Sequence, residues 1–561
     1  MKKLIPVVIA IILILIIGAA TAGSIVFDKY SYSKEQADLQ EYFGVSGDEM
    51  AIFLQDAKVS EKALLKGGLC YFDLDTVHKY FNDGFYADTE EMILLYALPT
   101  SVDRIDMETA AVTESGGSPN YAYVENGKVY VAVEHITKFT NMSVEVFDGR
   151  VQVYTEWGER RVATVEKDTE VRVKGGIKSP ILREIEKGEQ VEILEKMETW
   201  SKVKTADAFI GYVENKNLSE ESVVAETPVT TYVEPEYTTQ MLDEKVCLGF
   251  HSIGGKGGND TLGEAVANVK SMNVIAPTWF SLSDNEGGYE SFGTSDYVDN
   301  AHAMGLEVWG VLDDFNYHNT HEDTIDVYAV LSSTTKRTKL IDSVVKEALA
   351  LGLDGINLDF ERVTQECGEH YAQFVKEMSI QCRLNELTFS IDSYVPFNFN
   401  EYLRRDIQGK VADYVVIMGY DEHWHGSGDP GSVASINYVS NGLDKTLEVV
   451  PAEKVINALP FYSILWTTEG ATVTDEYLTM NNTQDFLDRV GQTGEWDEET
   501  QQLYVEWTSG TKKYQLWAEN EESIMAKLNV MRAKNIGGVA VWRLGYGTPE
   551  VWEMISAYVN S

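Results

Sequence analysis

From Lys245 to Ser561 the chain alternates short apolar runs with stretches whose apolar residues recur three and four positions apart. The first pattern predicts strands buried on both faces, the second amphipathic helices laid against them. The runs "VCLGFHSI", "VIAPTWFSL", "EVWGVLDD", "DGINLDFE", "LTFSIDSYV", "DYVVIMGYDE", "VINALPFYSILW" and "GGVAVWRLGYG" read as strands. In the helical stretch "KLIDSVVKEALALG", the residues Leu340, Ile341, Val344, Val345, Ala348 and Leu349 keep one face. Eight such alternations predict an α/β fold, a parallel (β/α)8 TIM barrel over residues 245–561. A hairpin, "LYVEWTSGTKKYQLWAE", lengthens the last connection and predicts a small insertion near the barrel mouth, before the final strand.

Upstream the pattern changes. Residues 28–165 contain a half-repeat in which "CYFDLDTVHKYF" aligns with "VYVAVEHITKFT", each strand-like, then helical, then followed by a β-rich stretch. This predicts a duplicated α+β module, which resembles the copper-amine-oxidase N-terminal-like domains of bacterial surface proteins, although no copper ligands can be placed in it. Residues 166–218 read as short strands between glycine turns, a small β-barrel. Their "KGEQVEIL…WSKVKT…GYV" pattern resembles a bacterial Src-homology-3-like domain, a resemblance that implies wall-peptide or glycan binding. Residues 219–244, rich in Thr, Val, Glu and Pro, have no periodicity and predict an extended linker.

The start of the chain decides which side of a membrane these segments face. Lys2 and Lys3 precede an uncharged run from Leu4 to Gly23. A secretory core is typically ~7–15 residues and a spanning helix about 20, so length favours an uncleaved anchor over residues 1–27. "ATA" at 20–22 leaves a cleaved signal peptide as the alternative. In either case the lysines hold the start inside and the body is exported. A formal net charge of −43 excludes nucleic acid as a partner on electrostatic grounds. The four cysteines show no metal-ligand spacing, and Cys367 and Cys382 flank one helical stretch that holds them about 20 Å apart, beyond disulfide reach.

The chemistry concentrates in "LGLDGINLDFE". Residues two apart on a strand share a face, so Asn357, Asp359 and Glu361 point one way from a strand whose intervening residues are Ile356, Leu358 and Phe360. Active sites of such barrels lie at the C-terminal ends of the strands, and burying ionisable groups there without purpose is costly. Like-charge repulsion from Asp359 is expected to raise the pKa of Glu361 and suit it to general-acid work on a glycosidic bond. No strand end offers an evident second carboxylate as nucleophile, which leaves room for one supplied by the substrate.

"DGINLDFE" resembles the D-G-x-D-x-D-x-E signature of family-18 glycoside hydrolases, the chitinase-like enzymes. "MGYD" (418–421) matches the family's M-x-Y-D, and Trp542 its tryptophan on the eighth strand. "LPFY", "YDEHW" and "AVWRLGYG" are similar to the spore-cortex and wall-lytic N-acetylglucosaminidase branch. The resemblance implies Glu361 as acid and then base, with the 2-acetamido oxygen of the substrate as nucleophile in a retaining reaction. It implies Asp359 orienting the acetamido group, Tyr420 bonding its oxygen, and Asp421 and Trp542 contacting sugar. Asp354 is placed with the substrate contacts as the opener of the motif, where a structural role competes. Chitinases usually carry Asp where this chain has Asn357, which is expected to donate to Asp359 and hold it ionised.

His423 and His425 have metal-like spacing, but the reaction needs no ion, so they read as loop or surface residues, and neither metal nor cofactor is expected. Trp279, Trp309, Tyr394, Tyr462 and Trp466 lie at or near strand ends, where sugar stacking and rim packing compete. Together the chain reads as a membrane-tethered enzyme with an extracellular body, secreted if the first segment is cleaved. Its expected substrate is an N-acetylglucosamine-containing glycan, peptidoglycan before chitin. A chitinase, an endo-β-N-acetylglucosaminidase and a non-catalytic sugar-binding barrel are the alternatives, the last opposed by the presence of Glu361.

Overall fold

A computed structural model describes residues 5–111, 119–315 and 325–561. The chain divides into two compact units, Met1–Leu94 with Ile105–Glu234, and Leu95–Arg104 with Pro235–Ser561.

In the second unit eight parallel strands close into a barrel: β1 (Val246–His251), β2 (Val274–Leu282), β3 (Glu307–Asp313), β4 (Gly355–Asp359), β5 (Thr388–Tyr394), β6 (Tyr414–Met418), β7 (Val455–Pro460) and β8 (Gly538–Trp542). Closure is made by β1, which pairs with β2 at Leu248↔Val274 and with β8 at Val246↔Gly538. Every residue of β4 is buried, as expected of a strand with helices outside and a packed interior within. Gly355 at its start has no room for a side chain, since a Cβ there would lie 2.7 Å from both the Thr388 carbonyl and the Trp309 ring.

The helix Thr334–Leu351 leads into β4, capped by the Ser333 hydroxyl at its start and ended by Gly352 at φ 79°. Leu340, Ile341, Val344, Val345 and Ala348 are buried as its periodicity predicts, but Leu349 is 47% exposed. At ~100° per residue, Leu349 falls roughly 110° from the centre of the stripe, outside the apolar face.

The run "VINALPFYSILW" is two strands rather than one. Val455–Pro460 stays in the barrel, Phe461 donates its N–H to the Trp542 carbonyl (2.8 Å), and Tyr462–Glu469 leaves to pair with Thr472–Thr479 and Lys512–Ala518. The predicted hairpin is Gln502–Ser509 with Lys512–Ala518, part of a five-stranded antiparallel sheet that carries the helix Met480–Val490. The insertion is thus a small α+β body.

In the first unit both halves of the internal repeat form a strand running into a helix. They are Leu69–Asp73 into Leu74–Tyr80 and Lys128–Ala132 into Val133–Ile136, and the two strands pair antiparallel. A second seven-stranded sheet contains the segment that resembles a Src-homology-3 domain and recruits a strand from either side of it. Glu159–Thr164 pairs with Ser222–Ala225, so the strand pattern extends into residues read from sequence as module and linker.

Ile5–Tyr30 is one helix with a mean hydropathy of 2.9 over its most apolar window, and it buries none of that window. At ~1.5 Å per residue it is about 39 Å long, more than the ~30 Å of a hydrocarbon core. All four cysteines are free and buried.

Candidate active site

At the C-terminal ends of the barrel strands lies a cavity of about 320 Å³, with Asp359, Glu361, Asp392, Tyr420, Asp421 and Trp542 on its walls. Its size and mixed lining are those of a small-molecule site.

Glu361 stands two residues past β4 and is held from both ends. Its backbone N–H donates to Asp314 Oδ1 (2.8 Å), and the N–H of Arg362 donates to both oxygens of the same carboxyl group. The Tyr394 hydroxyl, at the end of β5, donates to Glu361 Oε2 at 2.6 Å. Burial raises the Glu361 pKa, the Tyr394 hydrogen bond opposes that rise, and the Asp421 carboxylate assists it. Asp314 itself, fully buried, is pushed up to about 7 by burial against the pull of its two N–H donors.

Asp359 points into the barrel beneath. Burial first, then the neighbouring Glu361, Asp392, Asp313 and Asp314, raises its pKa well above the carboxylate range. Asp392 on β5 is pushed up to about 8 by burial, against a hydrogen bond from Asn357. Burial and mutual repulsion thus favour the neutral form of the carboxyl groups inside the barrel.

"MGYD" forms the turn off β6. Gly419 sits where a Cβ would meet Asn457 Oδ1 at 2.8 Å and the Ala458 carbonyl at 2.9 Å. Asp421 takes φ 61°, a left-handed conformation that costs a non-glycine residue of order 1 kcal/mol. Its Oδ1 accepts from the Tyr462 hydroxyl at 2.5 Å, while Tyr420 is buried with its ring 6.3 Å from that of Tyr462. Tyr462 and Tyr477 come from the insertion and close one side of the cavity. Trp542 ends β8, with its ring 5.6 Å from that of Phe250.

Residues 320–547 match the family described as Glycosyl hydrolases family 18, and residues 167–219 match the Bacterial SH3 domain. The barrel is a family 18 glycosyl hydrolase domain. The chain is 26% identical over 295 residues to the uncharacterized glycosylase YvbX of Bacillus subtilis, covering 51% of this chain and 84% of that protein. It is 25% identical over 244 residues to a cortical fragment-lytic enzyme of the same organism, covering 41% of this chain and 56% of the relative, so it spans about half of that protein's length. In fold it is similar to a chitinase from Chromobacterium violaceum, with TM-score 0.50 and 23% identity over 56% of this chain and 99% of the other.

Within the family 18 domain, the expected site residues divide. Glu361, Asp359, Tyr420, Asp421 and Trp542 meet on one cavity. Asn357 lies below it and does not donate to Asp359. Its Nδ2 donates to Ser390 Oγ (3.0 Å) and Asp392 Oδ1 (2.9 Å), because β5 is the strand in register beside it. Asp354 is at the opposite end of β4, where its Oδ2 accepts from the Val308 N–H and from His302, both at 2.8 Å. It ties the barrel floor, at the end of β4 away from the cavity. The raised pKa of Glu361 stands, with burial as its largest cause and Asp421 assisting, and the repulsion between Glu361 and Asp359 falls on Asp359.

Trp279, Trp309 and Trp466 are fully buried core, whereas Tyr394 and Tyr462 hold Glu361 and Asp421 on the cavity wall. His425 pairs with Asp475 of the insertion, and His423 lies 3.3 Å from Asp429 Oδ2. Among the described residues no cluster of three His, Cys, Asp or Glu is arranged to hold a metal. Sequence reasoning missed Asp314, Asp392 and Tyr477, and the paired acids ending "EVWGVLDD" were the one available signal.

The Tyr394 bond gives a testable sign. It stabilises ionised Glu361, so Tyr394→Phe is expected to raise the pKa of the acid and move the alkaline limb of the kcat/KM profile to higher pH. An unmoved limb would separate Tyr394 from the acid's protonation.

Proposed function

We propose that this protein hydrolyses peptidoglycan at N-acetylglucosamine residues, with retention of anomeric configuration and with the substrate's 2-acetamido oxygen as nucleophile. The observation that carries the reading is the way the cavity carboxyls are buried and hydrogen-bonded around Glu361. Asp359 and Asp421 line the cavity as expected and Asp392 joins them, and burial raises the pKa of all three. A raised pKa disfavours the carboxylate that a nucleophile must be, and Asp392 and Asp421 already accept hydrogen bonds from Asn357 and Tyr462. The acetamido group needs no such ionisation.

In this reading Glu361, its pKa raised by burial, gives its proton to the glycosidic oxygen as the acetamido oxygen closes on the anomeric carbon. Asp359 lies where it accepts from the acetamido N–H, and the positive charge forming there favours its ionisation in the transition state only. Tyr420 donates to the acetamido oxygen and aligns it, and Trp542 carries the ring. Glu361 then takes a proton from the water that opens the oxazolinium ion. The bacterial SH3 domain and the likeness to a cortical fragment-lytic enzyme favour a wall glycan over chitin. The apolar helix Ile5–Tyr30 supports a membrane anchor with the body outside.

Proton NMR of fresh products and mass spectrometry of muropeptides after digestion test this together. Retained anomers ending in N-acetylglucosamine are expected, with glucosides lacking the acetamido group nearly inert. An inverted product overturns the mechanism. Turnover of chitin oligomers without release from peptidoglycan overturns the substrate, and binding of both without turnover leaves a sugar-binding barrel.

A further inference from the structure

Arg543 has no part in this chemistry, yet among the described residues it is the only basic side chain on the cavity wall. It is half-buried, its Nη2 donates to the Tyr546 hydroxyl at 2.5 Å, and its guanidinium lies 4.5 Å from that ring's centroid. Among the described residues no carboxylate pairs with it, although four carboxyl groups line the same cavity. A half-buried guanidinium is always charged and ordinarily finds an acid. Here the acids are committed elsewhere: Glu361 to Tyr394, Asp392 to Asn357 and Asp421 to Tyr462, with Asp359 deeper in the barrel. Burial, and after it the charge of Arg543, lowers the pKa of His251 to about 4.

We propose that Arg543 is a specificity residue that receives a carboxylate of the substrate, which makes the ligand an acidic, carboxylate-bearing N-acetylated glycan rather than a neutral one. The inference rests on the peptidoglycan reading above. A chitin chain offers an arginine nothing that a neutral donor would not match. A wall glycan carries carboxylates in two places, on the lactyl ether of alternate sugars when the peptide has been removed, and on the peptide stem when it has not. In a chain of net charge −43, an acidic ligand approaches against repulsion, and one uncommitted guanidinium at the cavity offsets it locally. Tyr546 keeps the guanidinium plane directed, as bidentate carboxylate recognition requires.

The test compares kcat/KM of the full-length protein on four glycans. These are a neutral N-acetylglucosamine oligomer, stem-bearing wall strands, strands stripped to the free lactyl carboxylate, and stripped strands with that carboxylate converted to an amide. Wild type is expected to favour a carboxylated strand over its amide by about fivefold, the worth of a half-exposed charge-assisted contact. Arg543→Gln should lose that preference through KM, and Arg543→Lys should recover part of it. A preference seen on stripped strands places the anion on the lactyl group, and one confined to stem-bearing strands places it on the peptide. Equal losses on neutral and acidic glycans in Arg543→Gln, with an unchanged Tm, overturn the proposal. Failure of the wild type on every wall strand would instead overturn the peptidoglycan reading itself.

Discussion

Glu361→Gln is expected to bind oligosaccharide as the wild type does and to lose ~10²–10⁴ of its turnover, the usual worth of a positioned general acid. The substitution is nearly isosteric, and it leaves the anchors of the segment in place. Asp314 holds backbone N–H groups rather than the side chain, and Tyr394 can donate to an amide oxygen as it does to a carboxylate. What is lost is the proton. Aryl glycosides with good leaving groups need little protonation, so the deficit on them should be far smaller than on oligosaccharides. Steady-state rates on the two substrate types decide the matter. Wild-type turnover of an oligosaccharide by this variant would remove Glu361 from its role.

The second large effect is on stability. Asp314 and Asp392 titrate at about 7 and about 8 in the fold, against an ordinary aspartate value near 4. Between those limits the folded chain binds protons that the unfolded chain has released. Stability contributed by these carboxyls is fully present below about pH 4 and is lost as pH rises through 7 and 8. The fall from pH 5 to pH 8.5 should amount to a few kcal/mol and appear as a lower Tm at the higher pH. Self-repulsion of the acidic surface acts in the same direction, so the comparison must be with a variant. Asp392→Asn keeps an oxygen for the Asn357 donor and removes the titration. Its Tm should depend less steeply on pH than that of the wild type. Equal slopes would mean that Asp392 does not carry the proton.

The barrel was legible because both of its signals are local. Apolar runs too short for helices alternate with stripes of period 3.6, and each was read within its own segment. The five carboxyl and aromatic positions that meet at the cavity were legible because strand parity and the order of motifs place them. The partner of Asn357 was not, because parity within β4 says which face the amide takes but not which neighbouring strand stands opposite. That is set by the register Asn357↔Ser390, which brings Asp392 rather than Asp359 within reach. Asp354 misled for a related reason: a short motif along a strand has two ends, and only one faces substrate. The break at Phe461 was invisible because "LPFYSILW" remains apolar while the chain passes from one sheet to another. The aromatic strand ends could not be sorted by type. Trp279 and Tyr394 look alike as candidates, and only packing makes one core and the other a partner of the acid.

The pairing of β8 with β1 has a consequence for how activity arises as the chain folds. The two partners, Val246 and Gly538, come from opposite ends of the barrel sequence. Joining them carries the loop-closure cost of the whole domain, which makes this contact a candidate for the last to form. Trp542 and Arg543 arrive with that strand, and the Phe461 N–H that starts the insertion is held by the Trp542 carbonyl. A chain with β1 to β7 and without β8 would have its acid just past β4 but no aromatic floor and no cation beside it. The contact that closes the barrel is thus also the one that completes the cavity wall.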